Sequence, residues 1–158
     1  MGLVVNQSVD DMRFADILEE LKLGDKDELI RLPDTIRNRQ VLRGGPVQKS
    51  RGFVLHSSDW RPLGEGTMQV PGGLEMTATI NVLEALAAGG GPGKALLALG
   101  YSGWGPGQLE DEILANGWLT CEAAPDLVFS SRDGEKWSGA LKSIGVDSLT
   151  LSSAAGRA

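Results

Sequence analysis

Residues 99–119 read LGYSGWGPGQLEDEILANGWL, a stretch in which glycines and aromatic residues alternate between an apolar run and a helical pattern. Glycine reaches backbone conformations closed to other residues, and aromatic side chains are costly to expose without a packing or binding reason. The pattern therefore predicts a strand, a structured loop and a helix, in that order. Trp104, which lies between two glycines of the loop, is expected at the rim of a pocket or at a partner surface.

Outward from this stretch, short apolar runs mix with helical patterns without a strict strand-helix-strand repeat, which favours an α+β fold. We expect a single compact domain over residues 1–158 with a mixed sheet, and a doubly wound parallel sheet is the second choice. The strands at residues 40–43 and 52–57 are expected to form a hairpin. Periodicity predicts helices at residues 11–23, 80–88, 108–116 and 134–144, strands at residues 2–6, 40–43, 52–57, 68–70, 74–76, 95–99, 118–121 and 127–129, and a strand or turn at residues 29–32.

Individual side chains are assigned to the core or to helix ends. Trp118 and Trp137 are expected to pack in the core, and Cys121 is expected to be a small buried hydrophobe in a strand. Thr79 is a candidate cap for the helix at residues 80–88. The acidic residues at the start of the helix at 108–116 are explained by the helix dipole, without any metal.

Composition bounds the class of protein. A chain of 158 residues that is 41% hydrophobic is sufficient for one core. Its longest apolar run covers only residues 95–99, far short of the roughly 18 residues that a membrane helix needs. The start lacks the basic and apolar segments of a signal peptide. A single cysteine suits a reducing compartment, so we expect a cytoplasmic protein without membrane association.

Charge is unevenly distributed along the chain. The net charge of −6 argues against a generic nucleic-acid binder, which is normally basic. Residues 31–51 nevertheless carry six Arg and Lys side chains against one acid, a local charge of +5, so the remainder carries −11. Such a stretch suits an anionic ligand, an acidic partner or a phosphate backbone, although a solvated face is the simpler explanation.

The sequence contains near matches to familiar catalytic motifs, but each of them lacks an essential feature. Residues 100–104 read GYSGW where the nucleophile elbow requires G-x-S-x-G, and the only histidine, His56, precedes the serine in the chain. Residues 89–95 read GGGPGKA, which lacks the Ser or Thr of a phosphate loop and follows a helix instead of a strand. One histidine and one cysteine do not suffice for a transition-metal site. We therefore assign no catalytic residue, no metal and no cofactor, and expect His56 to be a hydrogen-bonded structural residue.

A set of ordered motifs runs through the whole chain: MGLVVN at residues 1–6, GGPVQ at 44–48, RGFVLHS at 51–57, LGYSGWG at 99–105 and QLE at 108–110, followed by Trp118 and Trp137. Together these motifs resemble the bacterial AlgH (YqgE-like) family. The resemblance implies a compact α+β domain with a mixed, bifurcated sheet surrounded by helices. It implies no established catalytic residues, and the family's name comes from a proposed role as a regulator of transcription.

Two features depart from that family. Its members usually have a further N-terminal stretch before the segment equivalent to residues 2–6, so we expect either a misplaced start or a sheet that lacks part of its strands. Family members also tend to end in Gly-His-Ala, where this chain has Arg157 before its last residue. Any role of a C-terminal histidine is therefore in doubt here.

Three functional hypotheses follow. The first is a non-enzymatic regulatory or binding module whose partner, a protein or a small anionic ligand, meets the surface near the aromatic loop and the basic stretch. The second is an enzyme that acts on a small anionic substrate through His56, a serine and an arginine. The third is direct nucleic-acid binding through Arg37, Arg39 and Arg43, which the acidic total and the lack of a recognisable reading helix disfavour. The candidate surface residues are Arg43, Arg51, His56, Tyr101, Ser102, Trp104 and Gln108.

Overall fold

Six strands form one mixed sheet in the part of the chain that a computed structural model describes, residues 1–23, 32, 34–61, 66–147 and 151. Their order in the sheet is β1-β2-β6-β3-β5-β4, and β2 and β6 run parallel whereas the other neighbours run antiparallel. The mixed α+β architecture expected from the sequence is confirmed. The strands are β1 (Ser8–Arg13), β2 (Gln40–Arg43), β3 (Val47–Ser57), β4 (Thr67–Val70), β5 (Leu74–Thr77) and β6 (Ala95–Tyr101).

Helices connect and flank this sheet. The predictions at residues 80–88, 108–116 and 134–144 are confirmed to within two residues at each end, whereas the prediction at 11–23 is half wrong because β1 continues to Arg13. Asp16 accepts a hydrogen bond of 2.6 Å from the Arg13 backbone and so starts the helix there. The strand or turn predicted at residues 29–32 lies outside the described residues, except for Leu32. The described helices are α1 (Phe14–Glu20), α2 (Asp34–Arg37), α3 (Asn81–Ala87), α4 (Gln108–Leu114), α5 (Pro125–Val128) and α6 (Asp133–Ser143).

A separate hydrophobic core covers each face of the sheet, because alternate residues of a strand point to opposite faces. Val54 and Leu97 face α1 and α3, whereas Phe53 and Leu55 face the N-terminal segment and α5. The first core contains Phe14, Ile17, Leu18, Leu32, Val41, Val54, Val82, Leu83, Leu86, Ala95 and Leu97. The second contains Leu42, Phe53, Leu55, Leu74, Met76, Leu96, Ala98 and Phe129.

The predicted hairpin between residues 40–43 and 52–57 is wrong, because β6 lies between β2 and β3. The connection from β2 to β3 must therefore cross the end of β6. Gly44 and Gly45 form this crossing, because a side chain would not fit there. A Cβ at Gly44 would lie 2.3 Å from the Gly100 carbonyl oxygen, and a Cβ at Gly45 would lie 2.1 Å from the Tyr101 carbonyl carbon. Gly100 has a φ of +74°, which an L-residue rarely adopts. We call the contact of Gly44 and Gly45 with the backbone of residues 100–102 the glycine crossing.

Three predicted strands are not strands in the structure. Residues 2–6 contribute one isolated bridge, between Gly2 and Ser102. Residues 118–121 have no strand to pair with at β6, because β2 and β3 occupy both of its edges. Residues 127–129 belong to or follow α5, which begins at Pro125, a favoured first helical residue.

Two helix assignments also need correction. Trp137 of α6 is 53% exposed, and Lys136 takes its place on the inner face. The Lys136 ammonium is satisfied there, since it donates to the Val5 carbonyl at 2.8 Å and pairs with Asp133 at 2.7 Å. Thr79 does not cap α3: Ile80 is the cap residue, and within the described chain Thr79 Oγ1 has no hydrogen-bond partner. In the described residues no helix is long and apolar enough to cross a membrane.

The glycine crossing predicts a large effect of one methyl group. Gly44→Ala is expected to lower the free energy of unfolding by about 3 kcal/mol, because the new methyl group would meet the Gly100 carbonyl oxygen and the backbone must move to make room for it. Gly90→Ala is the matched control, since nothing lies within 4 Å of a Cβ at Gly90, and its effect should stay within about 0.5 kcal/mol. Urea titrations followed by circular dichroism measure both, and equal stabilities would contradict the crowding at Gly44.

Candidate functional site

The loop after β6 and helix α4 are joined by the carboxylate of Glu112. Trp104 Nε1 donates to Glu112 Oε2 at 3.0 Å, and Trp118 Nε1 donates to the same oxygen at 2.7 Å. Gln108 Nε2 donates to Glu112 Oε1 at 2.9 Å. We call Trp104, Gln108, Glu112 and Trp118 the indole cluster. One carboxylate thus fixes two indole rings and an amide.

Local sequence explains how the indole cluster forms. Gln108 and Glu112 are four residues apart, so they lie on the same side of α4. Gly107, with a φ of +76°, makes the turn into the helix, and Gln108 Oε1 accepts a hydrogen bond of 3.0 Å from the Gly105 backbone. Asn116, with a φ of +57°, ends the helical segment and returns the chain toward Glu112. The glycines and polar residues of the stretch 99–119 therefore shape the loop that holds the rings.

The two indole rings contact each other and the N-terminal segment. Their centroids are 5.8 Å apart at an interplanar angle of 71°, an edge-to-face arrangement that aromatic pairs prefer. A Cβ at Gly2 would lie 3.1 Å from the Trp104 ring. Gly2 and Ser102 exchange two backbone hydrogen bonds of 2.9 and 2.8 Å, which hold that segment beside the loop. Trp104 is therefore half-buried, whereas Trp118 is 47% exposed.

The electrostatics of the indole cluster depend on Glu112. Hydrogen bonds from Trp118, Gln108 and Trp104, in that order of effect, lower the pKa of the Glu112 carboxyl below its usual value. The carboxylate is therefore ionised throughout the neutral range. Because three N–H groups converge on the charged form, protonation would weaken all three hydrogen bonds.

The last residue of α4 and the segment that follows this helix expose apolar side chains. Leu114 is 81% exposed, Leu119 is 57% exposed and Trp118 is 47% exposed, all within six residues. The sequence-based assignment of Trp118 to the core is therefore wrong, and so is that of Cys121, which is exposed. Trp118 stays at the surface because its indole N–H donates to the Glu112 carboxylate. α4 itself buries no side chain.

Two more of the predicted surface residues meet at Phe53. The Arg51 guanidinium carbon lies 5.2 Å from the centroid of the Phe53 ring, and Tyr101 packs edge-on against the same ring at 5.7 Å. Arg51 also donates to Gln48 Oε1 at 3.3 Å. Arg43 is an exposed residue of β2 whose register partner is Leu99 of β6.

His56 is fully buried in β3, as expected for a structural histidine. Its Nδ1 donates to the Ser57 carbonyl at 2.8 Å, and its Nε2 lies 2.9 Å from Thr77 Oγ1. Thr77 Oγ1 in turn lies 2.7 Å from Thr67 Oγ1, so a chain of hydrogen bonds crosses three strands. Glu75, the register partner of His56, is also buried, and its Oε2 has no hydrogen-bond partner in the described chain.

The structure does not bring the residues of the enzyme hypothesis together. His56 pairs with Ala95 at the first residue of β6, whereas Ser102 follows the other end of that strand. At about 3.3 Å per strand residue, the two positions are on the order of 20 Å apart. His56 and Arg51 also differ in face, because Arg51 packs on Phe53 and His56 lies with Val54. None of the seven predicted residues lines the cavities of about 420, 280 and 260 Å³.

The sequence reasoning missed Glu112 as the centre of the indole cluster, because an acidic first turn already had an explanation. The signal that could have found it is the spacing to Glu112: Gln108 lies four residues before it, on the same side of α4, and Trp104 lies eight residues before it. It also missed that Arg39 and Lys94 line the cavity of about 280 Å³, because 55 residues separate them in the chain and the fold brings them to one place.

Comparisons with known proteins agree with this architecture. A family model described as AlgH-like matches residues 1–149. A UPF0301 protein of Cereibacter sphaeroides is 54% identical over the whole chain, which spans 82% of that relative. A UPF0301 protein of a Methylobacterium species is 48% identical over the whole chain, which spans 75% of it. The solution structure of the AlgH protein from Pseudomonas aeruginosa matches with a TM-score of 0.72 at 40% identity, covering 100% of this chain and 79% of that one.

The pKa of Glu112 predicts an acid transition confined to the indole cluster. A carboxyl whose pKa is lowered by folding contributes stability above its unfolded pKa, and this contribution is lost as the pH falls through the folded pKa. The circular-dichroism couplet of the coupled indoles should therefore persist through the range in which an ordinary glutamate carboxyl titrates and weaken only at lower pH. Glu112→Gln should remove this transition and Glu110→Gln, on the same helix, should keep it. A couplet that titrates identically in both variants would contradict the assignment.

The hydrogen-bond chain at His56 predicts a stability difference between two threonines. Thr77→Val removes the hydroxyl that pairs with His56 and Thr67, so the free energy of unfolding should fall by about 1–3 kcal/mol. Thr79→Val removes a hydroxyl that has no partner in the described structure, so it should be neutral or stabilising. Urea midpoints measure both, and an equal loss in the two variants would argue against the His56 network.

Proposed function

Since the chain belongs to the AlgH-like (UPF0301) family, whose members here carry no named activity, we propose that it is a non-enzymatic binding module with a regulatory role. The observation that carries this proposal is the exposure of Leu114, Trp118 and Leu119 beside the indole cluster. Exposed aromatic and aliphatic side chains in one segment are typical of protein interaction sites. Trp118 is fixed at its polar end by Glu112, so little side-chain freedom is lost when a partner covers its ring.

The charge around these side chains defines the partner. Residues 102–126 contain five acidic residues and no Lys or Arg. Of these acids, Glu110, Asp111 and Glu122 are exposed on or after α4. An apolar surface with an acidic rim is complementary to an apolar segment flanked by Lys or Arg. The proposed partner is therefore a protein that presents such a basic, amphipathic segment.

A regulatory role in transcription would then operate through this protein partner. Of the three arginines considered for nucleic-acid binding, Arg37 forms an ion pair with Asp34, and Arg39 turns toward a cavity. Arg43 alone among them is exposed on its strand. The chemistry of the acidic, apolar segment thus favours a protein over a phosphate backbone.

Leu119→Lys tests the proposal, because it places a positive charge where the partner carries its own and removes an apolar contact. Affinity for the partner should fall at least about tenfold. Wild-type and variant protein are compared as baits in extracts of the source bacterium, and retained proteins are cross-linked and identified by mass spectrometry. The cross-linked segment of the partner should be apolar with flanking Lys or Arg, and its retention should weaken with salt.

Ile80→Lys is the matched control, since Ile80 is also an exposed aliphatic residue, 44% accessible, but lies before α3. It should retain the same partner as the wild type. If Leu119→Lys retains the same proteins as Ile80→Lys does, the segment after α4 is not the binding surface. If the retained segment is acidic, the charge argument is wrong.

A further inference from the structure

We propose a second site, for a small anion, at the cavity of about 280 Å³ between α2, the start of β6 and α5, where Arg39 and Lys94 supply two cationic side chains. The ligand chemistry that fits is a carboxylate or a phosphate on a small body. This site shares no residue with the indole cluster, so it stands independently of the proposed partner surface.

Arg39 is half-buried, and its guanidinium is held by two backbone carbonyls. Its Nη1 donates to the Ala95 carbonyl, and its Nη2 donates to the Phe129 carbonyl at 3.4 Å. Within the described chain, none of the ion pairs includes Arg39. A guanidinium has five N–H donors, so several remain for a ligand. Burial lowers the pKa of Arg39, and the Asp133 carboxylate raises it to a smaller extent, which identifies a partly desolvated cation that an anion would stabilise.

Lys94 supplies a second positive charge that can exchange partners. Its Nζ lies 3.0 Å from Asp126 Oδ1, but the Asp126 side chain is 97% exposed, and exposed ion pairs are weak. The backbone beneath Lys94 is fixed, because Lys94 N donates to Ser57 Oγ at 3.0 Å and Gly93 N donates to Asp59 Oδ2 at 3.1 Å. A hydrogen bond from Ser57 lowers the pKa of the Asp59 carboxyl, so this anchor stays ionised. The backbone of Lys94 is therefore held in place, whereas its ammonium group is paired only with an exposed carboxylate.

The size of the cavity limits the ligand. Its apolar walls are Ile36 and Phe129, which suit the carbon skeleton of a small molecule. A narrower hollow of about 30 Å³ continues behind Arg39 toward Phe14 and Leu86, with room for about one water molecule. The pair of cations and the short apolar wall fit inorganic phosphate, a small phosphomonoester or a short dicarboxylate. Arginine can bind either head group with two parallel hydrogen bonds.

The test is a titration of the isotope-labelled full chain with inorganic phosphate and, separately, with malonate, each against chloride at the same ionic strength. Saturable shifts are expected at the amides of Gly93 and Ala95 with at least one of the two ions, and the stronger response distinguishes phosphate from carboxylate. Arg39→Gln should weaken binding by at least about tenfold, and Lys94→Gln by several fold. Asp126→Asn should tighten it several fold, because Lys94 then has no competing carboxylate.

Lys49→Gln is the matched control, since Lys49 is an exposed base of the same basic stretch that does not line the cavity. It should bind like the wild type. Arg39 also holds two backbone carbonyls, so if Arg39→Gln does not fold, Lys94→Gln and Asp126→Asn decide the question. Shifts that do not saturate, or that are the same in the Lys94, Asp126 and Lys49 variants, would overturn the site.

Discussion

The glycine crossing, the backbone contact between residues 44–45 and residues 100–102, is the constraint on which the rest of the molecule depends. β2 and β3 flank β6 on opposite sides, so the chain that joins them has to pass over the end of that strand. Gly44 N donates to the Leu99 carbonyl at 2.8 Å during this passage, and a side chain at either glycine would collide with backbone atoms. Because the end of β6 is fixed there, Ser102 pairs with Gly2, and the aromatic loop starts from a defined position.

The sequence predicted those elements of the fold that depend on local pattern. β2, β5, β6 and α3 follow their apolar periodicity, and each lies within two residues of its predicted bounds. It could not predict that β6 separates β2 from β3, because nothing local distinguishes a hairpin from a strand that inserts later in the chain. Nor could the sequence predict which face of α6 is buried, because Lys136 is stabilised inside by the carbonyl of Val5, 131 residues away in sequence.

The candidate sites also combine features that the local sequence predicts with features that depend on the fold. The sequence predicted the structured loop that carries Trp104, whose role at a pocket rim or partner surface stays a prediction. The meeting of Trp104 and Gln108 at Glu112 depends on the turn at Gly107, which the sequence pattern does not specify. Trp118 was assigned to the core because apolar residues usually lie inside, and no periodic signal opposes that assignment. The Arg39 and Lys94 cavity exists only because the sheet places α2 beside the start of β6. A site formed by residues that are distant in sequence cannot be recognised from the spacing of residues in one sequence.

The absence of any buried side chain in α4 has a consequence for how this protein can change over generations. The two cores lie on the sheet, and the described side chains of α4 belong to neither of them. Its outward residues can therefore be replaced with little effect on folding, while the indole cluster keeps the segment in one shape. Stability and the proposed recognition surface are thus encoded in separate parts of the chain, so that substitutions at the exposed positions of α4 need no compensating changes in the sheet.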